Sequence, residues 1–225
     1  KDSPLVSPES DLRIKALGHK DDLKQEIKDV KTRTESEIKD AKAKLKNMEE
    51  AMKEDVKKRK EEFKEIIKIK REELKDEIEA KREELKTRLE KIKDERKKEI
   101  IEKIDQRIDA LNEKMTNHFS NVLDKIEEIL VRISERADKA SSKKGLDVSA
   151  VRSAINKANT AIASARLAIE VQSGKTYPIT ITTEINLKTD VRKARRSLRN
   201  DLAKVRDAIK VAHSAVKDAS VALAK

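Results

Sequence analysis

Cysteine and tryptophan are absent from this 225-residue chain, and its only aromatics are one tyrosine and two phenylalanines. Without a thiol there is no disulfide, no thiolate metal site and no cysteine nucleophile. Glycine and proline occur three times each, and Gly18, Gly145 and Gly174 stand far apart, so no glycine-rich phosphate loop exists. The longest apolar run, residues 221–224, is four residues, against the roughly 20 that a membrane-spanning helix needs. His19, His118 and His213 are isolated from one another, with no paired-histidine or acidic-loop spacing. Converging catalytic or metal-ligating groups are therefore not to be expected. The sequence implies no enzyme, no cofactor, no metal and no small-molecule substrate.

Charge takes the place of what is missing, at 44% of the residues. A disordered chain can carry as much charge, but it lacks regularly spaced Ile and Leu. Here that spacing is regular, so the chain is expected to be helical. The net charge of +11 is uneven: residues 1–140 hold 38 Lys+Arg against 37 Asp+Glu, whereas residues 141–225 hold 17 against 7. Attraction to an acidic partner is expected to begin in the C-terminal third.

Residues 1–20 read as a leader followed by a short helix, with Ser7 as cap, Pro8 in the first turn and Gly18 as terminator. A start at Lys1 suits a mature chain after signal cleavage or simply a trimmed one; the first predicts an extracellular or cell-surface location. Residues 21–140 contain neither glycine nor proline, which predicts a single very long helix. At 1.5 Å per residue it would reach about 180 Å. Residues 21–107 form its charged shaft. Arg59-Lys60-Glu61-Glu62-Phe63, Lys70-Arg71-Glu72-Glu73-Leu74 and Lys81-Arg82-Glu83-Glu84-Leu85 repeat at eleven-residue steps. Phe63, Leu74 and Leu85 make one apolar row, and Ile67, Ile78, Leu89, Ile100 and Leu111 another. Eleven residues in three turns is a hendecad, coiled-coil-like but straight or weakly right-handed. The first row fails at Arg96, so the seam is narrow and weak helix association is expected.

From Ile108 the stripe widens through Met115, Phe119, Val122, Ile126, Ile129, Ile133 and Ala137, with Leu123 and Leu130 beside it. A wide apolar face belongs to a packed bundle. The stretch 116–121 has the poorest helix propensity of the run and is the expected place for a kink. After a turn at 141–145, a second helix is expected over 147–172 and a third over 184–225, separated by an extended segment at 174–183. The predicted fold is all-α: a very long helix ending in an antiparallel three-helix bundle over residues 108–225.

Two features of the last third are candidates for function. Arg192, Lys193, Arg195, Arg196, Arg199 and Arg206 crowd the third helix and suit a polyanion. The bland alternative has them paired with Glu127, Glu128 and Glu135, or simply solvated. Nucleic-acid modules usually add stacking aromatics, and Tyr177 is the only tyrosine here. The alternation Tyr177, Ile179, Ile181 is a candidate assembly segment, able to add a strand to another subunit. Its competing role is a linker whose isoleucines cover a groove between helices.

The charged shaft with its KREEL repeats, then LDVSAVRSAINKANTAIASARLAIE, KTYPITITTE and an alanine-rich final helix, resembles uncharacterised secreted helical proteins of candidate-phyla-radiation bacteria. The resemblance spans residues 60–225 and implies an extracellular or cell-surface protein without assigned functional residues. The leading expectation is thus a non-enzymatic structural or interaction protein, a helical rod acting as spacer or as subunit of a surface assembly or filament. Self-association or another surface protein is the expected partner. The alternative is a polyanion-binding module, for nucleic acid or acidic polysaccharide, using the basic third helix.

Overall fold

The computed structural model describes the backbone of residues 8–224, and side chains from residue 23 onward except 143 and 144. The expected leader at 1–7 lies outside the described residues. The protein is all-α, with α1 over Pro8–Leu89, α2 over Glu95–Lys144, α3 over Ser149–Ser173 and α4 over Leu187–Leu223. It divides into two units, Lys1–Glu50 and Ala51–Lys225. No strand forms among the described residues.

Two expectations about the first half are corrected. Gly18 does not end a short helix, because α1 runs through it. Nor do residues 21–140 form one helix, since α1 stops at Leu89 and α2 starts at Glu95. The break needs neither glycine nor proline, as no described residue other than glycine has positive φ. Ile92 folds into the core at 4% exposure. Asp94 then caps α2, its Oδ1 accepting from the backbone N–H of Arg96 at 3.1 Å and Lys97 at 3.3 Å. Those bonds hold the Asp94 carboxyl below its usual range, the Lys97 N–H foremost.

Within the second unit, α1 and α2 form an antiparallel hairpin. Lys53 pairs with Glu135 at 3.2 Å, Lys60 with Glu128 at 2.6 Å, Arg71 with Glu113 at 3.4 Å and Arg82 with Asp109 at 2.8 Å. The descending order on one helix against the ascending order on the other fixes the direction. The driving force is the apolar stripe: Phe63 and Ile67 of α1 share a core with Phe119, Leu123 and Ile126 of α2. Each large side chain so buried stabilises by roughly 1.5–3 kcal/mol. The eleven-residue rows face inward only up to the turn. Ile100 and Leu111 are 55% and 46% exposed, because the break at 90–94 resets the helical phase.

α2 continues through 116–121 without a break. Thr116 is fully buried there, and its hydroxyl bonds back to the carbonyl of Asn112 at 3.0 Å. Gly145, expected in a turn, is the C-cap of α2 with φ of 62° and its N–H on the carbonyl of Ser141. That left-handed conformation is the one glycine adopts without a Cβ penalty. α3 and α4 then pack on α2 and on each other. Ala158, Ala165, Ala212 and Ala219 are all fully buried, and residues this small let helix backbones approach closely. The bundle therefore contains four helical segments, not three.

Candidate functional site

The link between α3 and α4 is an extended segment that runs along the α1–α2 hairpin. The carbonyl of Lys175 accepts from Asn112 Nδ2 at 3.1 Å, and the carbonyl of Ile181 accepts from Arg88 at 3.1 Å. Between these points the backbone N–H of Ile179 acts on the Asp105 carboxyl, favouring its charged form. Burial pushes the Asp105 and Asp109 carboxyls up despite Arg82 beside them. Tyr177, Ile179 and Ile181 are 6%, 2% and 6% exposed. They close a second core with Leu85, Leu89, Ile92, Ile101 and Ile108. This corrects their assignment as an assembly segment: the backbone is tied to its own bundle and the side chains cover the hairpin.

The same segment sets where α4 begins. Asp190, in the first turn of α4, is 4% exposed. Its Oδ2 accepts from the backbone N–H of Thr182 at 2.9 Å and from the Thr182 hydroxyl at 2.8 Å. The backbone bond is the main reason that its carboxyl lies below the usual range. Leu187 and Leu198 drive inward at 7% and 2% exposure. With that register set, the opposite side of α4 faces outward beside the first turns of α2.

Between them lies a groove of about 970 Å³. Ile100 and Ile104 of α2 line it, together with Val191 of α4 and Ile185 just before α4. Ile185 is 94% exposed, the most exposed large aliphatic residue among those described. Arg192, Arg195, Arg196 and Arg199 line the groove as well. Their spacing of i, i+3, i+4 and i+7 puts them on one face of α4. None of the four has an ion pair or hydrogen bond among the described residues.

The candidate basic residues thus separate into two sets. The four arginines converge, whereas Lys193 pairs with Asp190 at 3.4 Å and Arg206 with Asp207 at 3.3 Å. Neither Lys193 nor Arg206 lines the groove. Pairing of the cluster with the acids of α2 does not occur. Glu127 is held by Arg59 and Arg166, Glu128 by Lys60 and Glu135 by Lys53. Arg166 also lies 4.8 Å over the ring of Phe63, in a cation–π contact that helps hold α3 to α1.

Ile100, Ile104 and Ile185 were not among the candidate residues. Ile100 sat in an eleven-residue row and so read as seam. His118 and His213 are exposed, and no group of three or more His, Cys, Asp or Glu is placed to hold a metal among the described residues. No described helix is long and apolar enough to cross a membrane. Comparison with family models, with curated proteins and with solved structures returns no match for this chain.

Proposed function

We propose that this chain is a non-enzymatic helical assembly protein, in which the part of α1 within Lys1–Glu50 pairs with the same part of a second copy. One observation carries the reading: the apolar rows of α1 continue into residues 23–45, most of whose row members are exposed. At eleven-residue steps, Leu23, Thr34 and Leu45 lead to Val56 and Ile67, and Val30 and Ala41 lead to Met52 and Phe63. Val56, Phe63 and Ile67 are buried in the bundle, at 6%, 6% and 4% exposure. Leu23, Ile27, Val30 and Ile38 are exposed, at 46%, 67%, 63% and 48%. A repeated apolar seam without a partner is the ordinary mark of a helix that associates.

The flanking charges select the orientation. Glu26 and Glu37 border one side of the seam, Lys31 and Lys42 the other. Each acid precedes its base by five residues. At that spacing the flanking positions of parallel, in-register helices face each other, so acid meets base. An antiparallel pair would set acid on acid and base on base. Eleven residues over three turns predicts a straight or weakly right-handed pair. A role as spacer or subunit of a surface assembly follows from such pairing, and the extracellular or cell-surface setting belongs to the same proposal.

Sedimentation equilibrium of the full chain tests it, with a dimer expected and a monomer at every concentration overturning it. Ile27→Lys with Ile38→Lys should dissociate the dimer without loss of helical content, because both side chains are exposed. The chain has no cysteine, so Ile38→Cys alone reports register: oxidation should give a covalent dimer if the helices run parallel.

A further inference from the structure

We infer that the groove between α2 and α4 is a binding site for a single-chain anionic amphiphile, an aliphatic tail ending in a carboxylate. Two halves of the site ask for two halves of one ligand. The aliphatic side chains of Ile100, Ile104, Val191 and Ile185 border the groove, and no aromatic residue lines it. Such a surface has no aromatic ring to stack a nucleobase but removes a hydrocarbon tail from water, and Glu184, the one acid on the lining, is paired with Lys97 at 3.6 Å. The four arginines beside it have no acidic partner among the described residues. Guanidinium groups bind carboxylate through paired, charge-assisted hydrogen bonds. The groove, at about 970 Å³, lies at the upper end of the 300–1,000 Å³ usual for small-ligand sites.

A polyanion would use the arginines alone and leave the isoleucines in water. A neutral lipid would use the isoleucines alone. Ile185 fits the mixed reading best, since its 94% exposure has no structural benefit within the bundle. It stands at the entrance to α4, next to the cationic face.

Isothermal titration of the full chain with sodium dodecanoate, below its micelle concentration, tests the assignment. One saturable site per chain is expected, with dodecyltrimethylammonium, of the same tail and opposite charge, binding at least roughly tenfold more weakly. Arg195→Gln with Arg199→Gln should weaken dodecanoate roughly tenfold. Ile100→Glu with Ile185→Glu should weaken it as much or more. All four side chains are exposed, so circular dichroism should show an unchanged fold in both variants. Absence of saturable dodecanoate binding overturns the proposal, as does binding that both variant pairs leave unchanged. Salt-dependent binding of an oligonucleotide or heparin that Ile100→Glu with Ile185→Glu does not weaken, with no dodecanoate site, replaces the amphiphile by a polyanion.

Discussion

The hydroxyl of Tyr177 donates to Oδ2 of Asp201 at 3.0 Å, joining the extended segment to the middle of α4. The phenol oxygen in turn accepts from Gln172 Nε2 at 2.8 Å, and the same amide nitrogen donates to Asn112 Oδ1 at 2.8 Å. Lys175 and Lys204 complete the site with bonds of 2.9 Å each to Asp201. Three helices and the linker thus meet in one polar network. A network of this kind specifies one arrangement, because any sliding of α4 would strand several buried groups at once.

Replacing Tyr177 by Phe removes one hydroxyl and leaves Gln172 and Asp201 each short of a partner. The expected loss is about 1–3 kcal/mol, the range for a buried group left unsatisfied. Urea unfolding should show a lower midpoint at unchanged slope. An unchanged midpoint would show that the network is not strained by the loss.

Stability should fall at both ends of the pH scale for reasons set in this network. Asp201 is held down to about 2, chiefly by the Lys204 and then the Lys175 hydrogen bond. Its contribution is present above the ordinary carboxylate value near 4 and is lost as pH falls towards 2. Burial raises the Tyr177 phenol above its ordinary range. Its contribution is present below about pH 10 and is lost as pH rises beyond that. Asp105 and Asp109 have raised values and act in the opposite sense on acidification. Comparison of Asp201→Asn with the parent chain isolates the acid arm: the variant should lose less stability than the parent between pH 4 and pH 2.

Ile92 is the apolar residue inside the α1–α2 turn, 4% exposed and in the core that holds Leu89 and Ile179. Ile92→Ala should cost about 2–4 kcal/mol, the transfer of the lost methylenes plus a residual cavity. Thermal unfolding followed at 222 nm measures it. If the turn were incidental to the fold, the cost would be that of a surface substitution.

Arg82 bridges the buried Asp105 and the partly buried Asp109, at 3.5 Å and 2.8 Å. Arg82→Gln leaves both acids facing each other without a cation. Breaking a fully buried pair costs about 3–5 kcal/mol. Arg82 is 37% exposed, so solvent screening reduces the expected loss to about 1–2 kcal/mol. The deficit should shrink on acidification, because burial raises both carboxyls and their protonation relieves the repulsion; a deficit independent of pH would point to lost packing instead.

Much of the C-terminal third was legible in the sequence. Helices expected over 147–172 and 184–225 occupy Ser149–Ser173 and Leu187–Leu223. Their faces follow the 3.6-residue period, and Asp147 takes the N–H of Ser149 at the α3 start. The α1–α2 turn was not read, although its trace was there. The row through Phe63, Leu74 and Leu85 reaches Arg96 next, and that failure read as a leaky seam when it marked a change of helix. The groove was half legible: the arginines stand out as charge, but Ile100 and Ile104 opposite them come from a distant part of the chain.

Composition and periodicity by themselves determined that this chain is helical, that it lacks thiol chemistry and that its excess positive charge lies in the last third. These are local properties, set by propensity, spacing and count. The tertiary structure alone decided that the long charged run folds back on itself at 90–94, that Tyr177, Ile179 and Ile181 are cover and not edge, and which arginines remain without acids. The physical reason is common to all three. An amphipathic helix specifies which face must be buried but not against what, and that choice is settled only when every stripe in the chain competes for the same apolar surface.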